Sequence, residues 1–150
     1  MNAVTMNAER GTRNAEQRGE FVPSRDLKLR TRAFALQVVR LVERLPRGRA
    51  ADVIGRQLLR AGTSVAANYR SARRARSRRE FVAKMGIVEE EADESSFWIE
   101  LLAQAGLATS EQISELQGEA DQLVAITVAS IRTARGGRGS VPRSAFRVPR

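Results

Sequence analysis

The chain contains no cysteine and no histidine. Without cysteine there is neither a disulfide framework nor a thiolate metal site. Without histidine, imidazole general bases, Ser–His triads and the usual zinc ligand sets are all excluded. Aromatics are scarce, with one tryptophan, one tyrosine and five phenylalanines. Long apolar runs are missing too. The longest mostly apolar stretch, Leu123 to Ile131, is interrupted by Thr127 and Ser130 and is too short to span a bilayer. The N-terminal residues lack the apolar block of a secretion signal, so a cytoplasmic protein is expected. These absences point to a protein without catalytic chemistry of its own, with no cofactor, no metal and no membrane partner.

What the chain has in abundance is arginine. Its net charge is +9, but the distribution says more than the total. From Arg25 to Lys84 there are 17 basic and 4 acidic residues; from Met85 to Ile131 there are 10 acidic residues and none that is basic. One half of the folded region is therefore strongly basic and the other strongly acidic. Such a split favours internal or inter-subunit pairing and leaves a surplus of positive charge for a polyanion.

Length and composition fit a single domain. Residues 1–24 are polar and aperiodic and read as disordered. The segment 136–150, GGRGSVPRSAFRVPR, reads as a flexible basic tail. Between them, residues 25–135 show helical periodicity and almost no strand alternation. The first helix is expected from about Asp26 to Leu45, with Leu27, Phe34, Val38, Leu41, Val42 and Leu45 on one face and Pro46 and Gly48 as its stop. The second, about Ala50 to Arg76, carries Ile54, Leu58, Ala61, Val65, Asn68 and Ala72.

No glycine or proline separates the second helix from the third. A break is nevertheless expected at Ser77, because Ser77-Arg-Arg-Glu80 has the form of a capping box. Ser77 would accept from the Glu80 amide and the Glu80 carboxylate would return to the Ser77 amide. The third helix would bury Phe81, Met85, Val88, Ala92, Ser95, Ile99, Leu102 and the flanking Trp98, ending at Gly106. Thr109-Ser-Glu-Gln112 is a second capping box that opens a fourth helix with Ile113, Leu116, Ala120, Leu123, Thr127 and Ile131 inward. Four amphipathic helices joined by short turns predict an all-α, antiparallel up-down-up-down four-helix bundle.

Three constellations bear on function. The small-residue run AGTSVAAN (Ala61–Asn68) suits the close approach of a neighbouring helix better than a ligand site. The acidic run Glu89, Glu90, Glu91, Asp93, Glu94 offers carboxylates for Mg²⁺ in a nucleotide hydrolase, but the second source, Glu115, Glu119 and Asp121, does not repeat its i,i+3 pairing. Pairing of Glu91 and Glu94 with arginines of the second helix, Arg56 and Arg60 among them, is the simpler expectation. Third, Arg70, Arg73, Arg74, Arg76, Arg78 and Arg79 place six guanidiniums within ten residues. Guanidinium forks match phosphate oxygens. With only Tyr69 nearby, recognition would run through the backbone or shape of a nucleic acid and not through base stacking.

The string LLRAGTSVAANYRSARRARSRREFVAKMGIVEEEADESSFWIELL (Leu58–Leu102) resembles the signature of the bacterial four-helix bundle proteins. That group includes proteins encoded in intervening sequences of 23S ribosomal RNA and accessory proteins of diversity-generating retroelements. The resemblance spans about residues 26–135. It rests on the small-residue helix ending in Asn68, the Ser77…Phe81 start, the Glu91-Ala-Asp-Glu94 segment and Trp98 with its leucines. It implies a homo-oligomer, a pentameric ring, with a basic surface that meets RNA, a nucleoprotein or a reverse transcriptase. A purely structural protein–protein interaction module remains the alternative.

Overall fold

A computed structural model describes residues 25–136. The segments 1–24 and 137–150, expected to be disordered, lie outside the described residues. The described chain forms four α-helices and no strand: α1 Arg25–Glu43, α2 Arg49–Ala72, α3 Arg78–Gln104 and α4 Ser110–Ala134. Helices α2 and α3 pack along most of their length, as do α3 and α4. Helix α1 leans mainly on α2 and touches α4 over a short stretch. With turns this short, the arrangement is the antiparallel four-helix bundle that the periodicity predicts.

Each turn has a local cause. After α1, the amides of Arg44 and Leu45 reach carbonyls only three residues back, and Pro46 then forbids continuation. After α3, Gly106 takes the left-handed conformation (φ 71°). The Leu107 amide returns to the Leu102 carbonyl at 2.9 Å and the Gly106 amide to the Ala103 carbonyl at 3.0 Å, which makes a Schellman stop. Helix α4 opens with the complete Thr109–Gln112 capping box, both reciprocal bonds being present.

The α2–α3 junction corrects the sequence reading in two details. Helix α2 ends at Ala72, not Arg76. The Arg74 and Ala75 amides bond to carbonyls three residues back, which tightens the last turn. Ala75 is then turned inward and buried. Ser77 must be extended to cap α3 (φ −148°), so the helix cannot run up to it. The cap itself is half as expected. The Ser77 hydroxyl accepts from the Glu80 amide at 3.0 Å, but the Glu80 carboxylate returns to the amide of Arg76 at 2.8 Å and not to that of Ser77.

The core follows the predicted stripes closely. Phe34, Val38, Leu58, Val65, Met85, Val88, Ile99, Leu102 and Leu123 are all sealed from solvent. Trp98 departs from expectation. It is only half-buried, because its indole N–H must reach the Glu94 carboxylate at 3.1 Å, at the edge of the bundle. Tyr69 departs the other way. It is buried, at 4% exposure, and burial pushes its phenol above the ordinary tyrosine range, with Arg73 opposing. The inward hydroxyls of Ser95 and Thr127 bond to carbonyls four residues back, so neither is orphaned. Gly62 lies against Val38 of α1, the close helix approach that the small-residue run suggested.

Candidate nucleic-acid interface

The arginine-rich end of the bundle is built from the last turn of α2, the connection 73–77 and the first turn of α3. Burial of Ala72 and Ala75 anchors this segment from inside. The residues between them must then point outward. Arg70, Arg73, Arg74, Arg76, Arg78 and Arg79 are all exposed. Among the described residues, none of these six guanidiniums has a side-chain hydrogen bond or lies within ion-pair distance of a carboxylate.

Glu80 is the sole carboxylate in the segment 70–81, and it is already engaged. It accepts from the Arg76 amide and pairs with Lys84 at 3.2 Å, contacts that hold its carboxyl below the usual range. Lys84 also donates to the Ser71 hydroxyl at 2.8 Å, tying the end of α2 to the start of α3. The junction is thus a hairpin end tied across by Lys84, whose guanidiniums have no ion-pair partner among the described residues. Among the described residues no exposed aromatic adjoins it, since Tyr69 is buried and Phe81 half-buried.

Further along the α2–α3 seam the charges are matched. Arg60 reaches Glu91 at 3.3 Å and also bonds Glu94. The Arg60 bond, and after it that from Trp98, keeps the Glu94 carboxyl below its usual range. Arg56 turns back to the Asp52 carbonyl of its own helix at 3.2 Å. Glu91, Glu94 and Arg60 therefore meet within one chain. Among the described residues no group of three acidic side chains is placed to hold a metal ion.

Two polar clusters were not legible in the sequence, because each depends on which helices become neighbours. On the α3–α4 seam, the Ser96 hydroxyl donates to Asp121 at 2.9 Å and accepts from the Gln117 amide. On the α1–α4 seam, Arg30 makes a forked pair with Glu119 at 2.9 and 3.0 Å and also reaches Gln122. That pair borders a groove of about 220 Å³ lined by Ala33, Phe34, Gln37 and Glu115. Among the described residues no helix is long and apolar enough to cross a membrane.

Comparison with known proteins adds the family. No curated protein matches the chain. A solved structure from Bacteroides thetaiotaomicron VPI-5482, a protein of unknown function from the S23 ribosomal protein family, is 32% identical with a TM-score of 0.67. The match covers 71% of this chain and 98% of that one. The family model of the 23S rRNA-intervening sequence proteins matches residues 26–129, which span α1 to most of α4 and include the whole arginine junction. The chain therefore belongs to the 23S rRNA-intervening sequence protein family.

Proposed function

We propose that the protein is a non-enzymatic accessory factor that binds RNA through phosphate contacts made by the exposed junction arginines. The single observation carrying this reading is the set of Arg70, Arg73, Arg74, Arg76, Arg78 and Arg79, all exposed and none ion-paired among the described residues. Like charges held this close repel one another, and a polyanion relieves that repulsion. With no exposed aromatic beside them among the described residues, binding is electrostatic and tolerant of sequence. The test is a salt titration on structured RNA. For the full chain, log K should fall linearly with log salt. Arg70→Gln, Arg73→Gln and Arg74→Gln together should flatten that line by on the order of three contacts per bound subunit while helicity is unchanged. An unchanged slope would make the junction a solvated face and favour the structural-module reading.

A second observation supports assembly of several copies. The outward face of α1 carries exposed Leu29, Leu36 and Val39 beside Arg32 and Arg40. The outward face of α3 carries exposed Ile87 and Phe97 among Glu90, Asp93 and Glu100. Helices α1 and α3 occupy diagonal corners of the bundle, so an apolar-basic face and an apolar-acidic face point away from each other. Complementary faces on opposite sides suit a heterologous contact, the kind of contact that builds a ring such as the pentameric one the family resemblance implies. Phe97→Arg would set a cation at the centre of the acidic face and should reduce the oligomer to folded monomers by light scattering. A wild-type monomer at tens of micromolar rules the ring out.

A further inference from the structure

The hydrogen-bonded pair Ser96–Gln117 fixes the register between α3 and α4. Eighteen residues of α-helix make five turns, about 27 Å, and return to the same face. Counting eighteen residues back from Ser96 along α3 reaches Arg78, on the face that looks toward α4. Counting eighteen forward from Gln117 along α4 reaches Arg135, on the face that looks toward α3. Because the helices are antiparallel, both counts run toward the same end of the bundle and stop at the same height. Arg132 stands three turns beyond Asp121, which Ser96 also contacts, and so shares that side of α4. Burial of Ile131 and Ala134 holds the last turn of α4 against the core and fixes its outer face. All three arginines are exposed, and none has an ion-pair or side-chain hydrogen-bond partner among the described residues.

We infer that Arg78, Arg132 and Arg135 form a phosphate clamp at the foot of the α3–α4 seam. This rests on the RNA-binding reading above and adds a second bank of cations to it. The first bank, on α2 and its turn, is separated from the α4 bank by the first turn of α3. Neighbouring helix axes lie about 8–10 Å apart, so the two banks are split across the end of the bundle, not gathered in one row. Ser77 takes the Glu80 amide and Glu80 takes the Arg76 amide, and around them the exposed guanidiniums are the charged anion donors at this end of the bundle. Two separated rows of guanidiniums without a stacking surface fit the two phosphate rows of a base-paired RNA helix. A single strand offers one row and needs aromatic platforms to be held well.

The experiment compares salt slopes for the full chain on an RNA duplex and on an unpaired strand of equal length. Arg132→Gln with Arg135→Gln should lower the duplex slope by about 1.8, two contacts at about 0.9 each, and leave the single-strand slope nearly unchanged. Arg132→Lys with Arg135→Lys, which keeps the charge, should retain the wild-type duplex slope and serves as the folding control. If the glutamine pair leaves both slopes unchanged, the clamp does not exist. If it flattens both equally, the second bank follows the same strand as the first, and the duplex assignment fails. Failure of the underlying reading looks different: the Arg70, Arg73 and Arg74 variant would then leave the duplex slope intact.

Discussion

Leu102→Ala is expected to destabilise the bundle by about 2–5 kcal/mol. Leu102 has no exposed surface and sits in the continuous core with Ile99, Ile113 and Leu116. Its carbonyl also receives the Leu107 amide in the stop that turns α3 into α4. Truncation removes buried apolar surface and leaves a cavity that the rigid turn cannot collapse to fill. Chemical denaturation at a fixed protein concentration measures the loss. A value below about 1 kcal/mol would place Leu102 outside the core. Leu36→Ala is the matched comparison, because Leu36 is half exposed on the outward face of α1. It should change the folding free energy of one chain little, by under about 0.5 kcal/mol.

The second large effect concerns two glycines within helices, where the same substitution should act with opposite sign. A Cβ on Gly62 would lie 2.7 and 2.9 Å from the methyl carbons of Val38 and 3.1 Å from its Cβ. A β-branched side chain in a helix has essentially one rotamer, so Val38 cannot swing away and α1 itself must move. Overpacking of this kind destabilises by about 1–3 kcal/mol, more than the roughly 1 kcal/mol that alanine gains over glycine in helix propensity. Gly118 of α4 has nothing within 4 Å of its would-be Cβ. Gly118→Ala should therefore stabilise by about 0.5–1 kcal/mol. Adding Val38→Ala to Gly62→Ala should recover part of the loss, giving a sum that is clearly non-additive in denaturation midpoints. Strict additivity would mean that the two helices do not meet at this pair.

Much of this architecture can be read one helix at a time. A stripe such as Phe34, Val38 and Leu41 declares an inward face before any partner is known, because the 3.6-residue period is local to the chain. Capping residues are local as well, which is why Thr109 and Gln112 mark the start of α4 so clearly. The Ser77 cap was legible for the same reason. Its reciprocal bond shifted by one residue, to the Arg76 amide, because the turn before it tightens around the buried Ala75.

Tyr69 and Trp98 mark where local reasoning stops. Both border an apolar stripe; the pattern places Trp98 inside and leaves Tyr69 out, and the structure reverses the two. The neighbouring helix decides. It seals Tyr69, while the pull of the Glu94 carboxylate keeps Trp98 at the rim. Charge behaves in the same way. The basic and acidic halves are plain in the sequence, yet of the arginines on α2 it is Arg60 that bridges to the acids of α3. Arg56 turns to its own helix.

Four amphipathic helices, the four caps and stops at Pro46, Ser77, Gly106 and Thr109, and the crowding of six arginines at one junction can all be read along the chain. These properties depend on residues within a few positions of each other. The packing of α2 against α3 makes the junction a hairpin end with its one carboxylate already engaged. The tertiary structure also brings Arg132 and Arg135 to the same end of the bundle as Arg78. Those residues are more than fifty positions apart along the chain, and only the antiparallel register set by Ser96 and Gln117 brings them to one place.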